Sequence, residues 1–154
     1  MDFAHLLLAD QGQPAQTIEV IAPATAEAWI AAQPPRARAS LAAQRFTGKA
    51  GSLATLAEDT GDWRAVLVVG DAASPWALAK AAEALPEGCY RLTGVPLAAP
   101  ALGWLLGQYR FDRYRKAEDA GARVLLTSDP ARIDEAARLA AATAQVRDLS
   151  LIHI

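Results

Sequence analysis

One cysteine and two histidines stand among the 154 residues. The lone thiol, Cys89, excludes an internal disulfide framework and a thiolate metal cluster. His5 and His153 sit near opposite ends, so no His-rich metal motif can form from sequence neighbours. Positive charge is not in excess. Fifteen Lys and Arg face seventeen Asp and Glu, for a formal net charge of -2. No global positive field therefore draws in nucleic acid or anionic lipid. Long apolar runs are also missing, and none approaches the roughly 18 residues of a membrane span. The start, Met-Asp-Phe-Ala-His, places an acid where a signal peptide carries Lys or Arg. A cytoplasmic protein is expected.

What is present suits a folded domain. Hydrophobic residues make up 53% and charged residues 21%, outside the range of disordered chains. The length suffices for one domain with a core of its own. About a quarter of the residues are alanine. Alanine favours helices and anchors weakly, so Leu, Ile, Val, Trp and Phe carry most of the burial signal.

The alternation of apolar residues predicts short strands over 3–8, 17–21, 52–56, 63–69, 89–92 and 124–126. The run Trp63 to Val69 is apolar toward its end, as in a strand covered on both faces. Asp59-Thr60-Gly61-Asp62 has the composition of a hairpin loop. Helices are predicted over 25–33 with Thr25 as N-cap, over 35–45, over 75–85 with Ser74 as N-cap, over 98–116, and from Asp129 toward Leu149. The result is an α/β fold with a mixed sheet flanked by helices and a long C-terminal helix.

Candidate chemistry is sparse. Gly70-Asp71 follows the buried strand, where many α/β folds bind phosphate. It has neither GxGxxG nor GxxxxGK[ST], and Asp71 would repel an anion, so a plain turn is the better reading. Arg110, Arg113, Arg115 and Lys116 alternate with Tyr109, Phe111 and Tyr114. That mixture can mark nucleic-acid contact. At helical spacing it reads as inward aromatics and solvated cations, with Asp112 pairing Lys116. Cys89 reads as a small buried apolar residue, and His5 as a core or surface histidine. Asp134 and Glu135 lie within reach of Arg138 and predict a solvated ion-pair face.

Four segments carry a resemblance: Ala43 to Gly51, Leu85 to Leu92, Gly103 to Arg115 with its G-x-Y-x-F-x-x-Y pattern, and Ala136 to Leu149. Together they resemble the N-terminal domain and interdomain helix of the leucyl aminopeptidase (cytosol aminopeptidase) family. The likeness covers roughly Phe3 to Leu149. It implies a macro-domain-like sheet over residues 1–128 and an interdomain helix over 129–148. It implies a parent exopeptidase that removes N-terminal residues from peptides, assembles as a hexamer, and uses two divalent metals, zinc or manganese, in a C-terminal domain. The metal-ligand motifs of that domain have no match here. The resemblance therefore assigns no catalytic, cofactor-binding or metal-binding residue to this chain, and implies a non-catalytic role. A free-standing nucleotide, ADP-ribose or DNA-binding module is the alternative.

Residues 149–154, Leu-Ser-Leu-Ile-His-Ile, depart from the family's usual Val-Asn-Thr-Pro. They read as the in-frame translation of a transposon-end sequencing adapter. The 129–148 helix shows two apolar seams. Leu139 and Val146 form one; Ile133, Ala137, Ala140 and Ala144 form the other. Two seams require two partners. With only one partner present, the helix is expected to fray beyond about Ala140 or to self-associate.

Overall fold

The computed structural model describes residues 3–109 and 121–152. Their strands are β1 (Leu7–Ala9), β2 (Gln16–Ile21), β3 (Leu53–Ala57), β4 (Trp63–Val68), β5 (Gly88–Gly94) and β6 (Arg123–Thr127). Their helices are α1 (Pro23–Ala31), α2 (Pro35–Ala43), α3 (Ala79–Ala84), α4 (Ala101–Gly107) and α5 (Ile133–Ile152). One sheet runs in the order β1-β6-β5-β2-β4-β3. All neighbours are parallel except β3, which returns antiparallel on β4. The expected mixed α/β sheet is what forms.

β4 shows why the sheet is buried on both sides. Ala65, Leu67 and Val69 point into one apolar cluster, with Ala81, Ala82, Trp104, Leu105, Ala140 and Ala144. Val66 and Val68 point into the other, with Ala26, Leu41 and Phe46. The alternation thus sends α3, α4 and α5 to one face and α1 and α2 to the opposite face. On the first face Tyr90 packs edge-on between Trp63 and Trp104, with ring centroids 6.0 and 5.6 Å apart. The predicted hairpin closes β3 on β4: Glu58 N–H donates to the Asp62 carbonyl at 2.8 Å, and Gly61 turns at φ +87°.

α1 and α2 pack on β2, β3 and β4 through Ile21, Ala54, Leu56, Val66 and Val68. The loop 10–15 returns from the end of β1 to the start of β2 and bends at Gln11 and Gly12. Arg91 pins this loop. Its guanidinium makes two hydrogen bonds to the Asp10 carboxylate, at 2.8 and 2.9 Å, and one to the Gln13 carbonyl at 2.9 Å.

Several boundaries differ from expectation. Residues 4–6 form a 3₁₀ turn ahead of β1, not strand. α1 begins at Pro23, whose missing N–H suits the first helical position. Thr25 is therefore inside the first turn, and its hydroxyl donates to the Ala22 carbonyl at 3.2 Å. α3 begins at Ala79 and not at Pro75. The Pro75 carbonyl is taken by Gly103 N–H at 2.7 Å, so residues 75–78 turn with i to i+3 bonds such as Ala79 N–H to Trp76. α4 spans Ala101–Gly107, shorter than the predicted 98–116. It ends as Gln108 and Tyr109 N–H bond back three residues, and residues 110–120 lie outside the described part. A 3₁₀ turn over Pro130–Arg132 leads into α5.

Candidate functional site

The carboxyl ends of β1, β5 and β6 open into a cleft of about 540 Å³. Parallel sheets place ligand crevices at this end of their strands. Leu92, Leu97, Leu102, Leu125 and Leu139 give it apolar walls. Arg91, Asp10, Asp129 and Arg132 stand among its polar groups. These charges are already matched. Arg91 holds Asp10 at 2.8 Å, and Arg132 holds Asp129 at 3.2 Å. The Arg91 hydrogen bonds, helped by Gly12 N–H, pull the Asp10 pKa down from 3.8 to about 2, and Asp10 in turn raises that of Arg91. Both cations of the cleft are thus committed to carboxylates of this chain.

The residues singled out by sequence do not converge. Asp71 uses its carboxylate locally, accepting from Ala73 N–H at 2.9 Å. A Cβ on Gly70 would meet Ala50 Cβ at 2.9 Å, so this glycine serves close packing of the turn. Cys89 is a free thiol on β5, half-buried and not fully buried as expected. His5 is exposed. Asp134, Glu135 and Arg138 are exposed, and among the described residues they form no ion pair within 4.0 Å. The predicted ion-pair face is absent, in line with the small gain of such pairs in water. Arg110, Phe111, Asp112, Arg113, Tyr114, Arg115 and Lys116 lie outside the described residues.

Among the described residues, no group of three or more His, Cys, Asp or Glu could hold a metal. A two-metal centre has no ligand set there to fit. No helix of the described part is long and apolar enough to cross a membrane.

Among the described residues, α5 shows two apolar seams. Ala140 and Ala144 are buried against the first core cluster, with Ile133, Ala136 and Ala137 beside them. Almost opposite on the same helix, Leu139, Val146 and Leu149 are 52, 63 and 51% exposed. The far half of α5 contacts the domain through Asp148 and Arg147. The Tyr109 hydroxyl donates to the Asp148 carboxylate. The Arg147 guanidinium sits 5.6 Å from the Trp76 ring centroid.

Sequence reasoning overlooked two glutamines. Gln108 donates to the Arg123 carbonyl at 2.8 Å and accepts from its N–H at 2.9 Å. Gln44 does the same to Thr55, at 2.7 and 2.9 Å. Each follows a helix directly, a position that says nothing of a strand partner distant in sequence.

Residues 16–127 match the family model for the M17 aminopeptidase, N-terminal domain. The crystal structure of cytosol aminopeptidase from Coxiella burnetii is similar, with a TM-score of 0.68 and 25% identity over 84% of this chain and 30% of that one. The bottromycin maturation enzyme BotP shares the fold, with a TM-score of 0.58 and 24% identity over 88% of this chain and 32% of that one. No curated protein sequence matches. The chain thus spans about a third of the length of these two solved relatives. The matched segment runs from β2 through β6 and exceeds half of the chain, and the chain therefore belongs to the M17 aminopeptidase family, whose N-terminal domain it carries.

Proposed function

We propose that this chain is the non-catalytic N-terminal domain of a leucyl aminopeptidase-like exopeptidase and acts in assembly and scaffolding. Residues 1–128 form the domain, and 129–148 form the helix that leads toward a catalytic region. In this reading the complete enzyme is a cytoplasmic hydrolase that removes N-terminal residues from peptides. It works as a homo-oligomer, a hexamer by family resemblance, with two divalent metals, zinc or manganese, held outside this chain. No catalytic step is assigned to residues 1–154.

The observation that carries the reading is the double-sided α5. One seam is consumed by the core. The other, Leu139 and Val146, leaves large aliphatic side chains more than half in water, seven residues apart. A helix with two seams is built to lie between two bodies. The relatives' greater length supports a second body in the same polypeptide.

Substitution of the outer seam tests this. Purified chain should self-associate with rising concentration. Leu139→Lys with Val146→Lys should be monodisperse with an unchanged helical circular dichroism spectrum. Loss of the helical signal in that variant would show that the seam belongs to this domain's own core and would sink the reading.

A further inference from the structure

β3 is an edge strand of the sheet. An edge exposes a row of backbone groups that can pair with another chain, and charged side chains, proline or bulges commonly guard it. β3 reads Leu-Ala-Thr-Leu-Ala and has none of these guards. Its outward-facing backbone can be assigned. Val68 N–H donates to the Ser52 carbonyl and Glu58 N–H to the Asp62 carbonyl, so the even-numbered residues turn to β4. Leu53, Thr55 and Ala57 therefore turn their backbone groups away from the sheet. Thr55, at the centre, is where the Gln44 amide sits, satisfying both its N–H and its C=O.

The position of Gln44 is enforced by the end of α2. Arg45 N–H bonds the Ala42 carbonyl and Phe46 N–H bonds the Leu41 carbonyl, the pattern of a Schellman motif. Phe46 and Leu41 share one apolar cluster. Arg45 takes φ +57° without being glycine, so the chain accepts backbone strain at this corner. The corner aims Gln44 at the edge.

A second case within the same sheet shows what such a glutamine replaces. β1 pairs with β6 only from Leu7 opposite Leu125 onward. Beside Arg123 the buried Gln108 bonds the free N–H and C=O on that side. There the side-chain amide stands in the place of a neighbouring strand.

We propose that Gln44 is a latch on a strand-pairing edge, and that the partner this edge fits is β3 of a second copy of the chain. The edge is self-complementary. In antiparallel pairing about Thr55, Leu53 faces Ala57, and Glu58 and Asp59 face Ser52 and Gly51, so no like charges meet. The outward side chains of Thr55 and Ala57 are small and exposed. Opening the latch joins two six-stranded sheets into one through an isologous contact.

The test compares the full chain with Gln44→Ala and with Gln44→Ala plus Thr55→Lys, by light-scattering mass and circular dichroism. Gln44→Ala is expected to double in mass relative to the parent chain at equal concentration. The added lysine, a charge on the edge, should reverse the gain. A folded Gln44→Ala with the parent's mass, or a gain in mass over the parent that survives Thr55→Lys, overturns the proposal. A measurement on the unmodified chain covers the case in which the variant does not fold. Its Thr55 amide should exchange hydrogen about tenfold or more slowly than the Ala57 amide. Equal exchange of the two overturns the latch.

Discussion

Arg91 reaches past β6 to grip Asp10 at the end of β1, two strands away in the sheet. The contact holds down the loop 10–15, which Arg91 also bonds at the Gln13 carbonyl. It joins residues 81 apart in sequence.

This pair sets an acid response. Asp10 is held at about 2, below its ordinary 3.8. A lowered carboxylate pKa gives stability that is full above 3.8 and is lost as pH falls toward 2. Melting temperature against pH should therefore fall more steeply between these values for the parent chain than for Asp10→Asn. Parallel curves would show that the contact is not coupled to folding.

Tyr90 sets an alkaline response. Burial between Trp63 and Trp104 raises its phenol from 10.0 to about 12, against the opposing pull of Arg123. The folded state favours the neutral phenol. Its contribution is complete below pH 10 and is lost as pH rises toward 12. Absorbance titration of the folded chain should show one tyrosine ionising late, and Tyr90→Phe should remove that step. The same variant loses the hydrogen bond to the Pro86 carbonyl, costing about 1 kcal/mol at neutral pH.

Much of the architecture is legible in the sequence because it is local. The apolar run of β4, the Asp-Thr-Gly-Asp hairpin and the two seams of α5 follow from the spacing of neighbouring residues. The resemblance of four segments found the family. What escaped is non-local. Nothing near Pro75 reveals that Gly103 claims its carbonyl and delays α3. Nothing near Gln44 or Gln108 reveals the strand each one serves. Asp10 looks like a loop acid until Arg91 folds over it. The outer seam of α5 is legible from helical periodicity, whereas the cleft is not, because Asp10, Arg91, Leu125 and Leu139 come from segments far apart in sequence.

The α3–α4 contact has no slack. A Cβ at Gly107 would lie 2.6 Å from the Ala79 carbonyl oxygen and 2.8 Å from Ala82 Cβ. Gly107→Ala should cost about 1–3 kcal/mol by forcing the helices apart. Urea denaturation measures this, and a midpoint equal to the parent's would contradict the close packing.

Arg45→Gly should act in the opposite direction. Glycine adopts the left-handed conformation at the end of α2 without the Cβ clash, a gain of about 1 kcal/mol. Calorimetry should show a higher melting temperature. A lower one would mean that the Arg45 side chain supplies more than the strain it brings.

The scaffold role proposed for this chain leaves it without peptidase activity of its own. Incubating the purified chain with a chromogenic leucine substrate, with Mn²⁺ or Zn²⁺ added, tests it most directly. No release above the metal-only control is expected. Metal-dependent turnover that scales with protein concentration and disappears with chelator would contradict it.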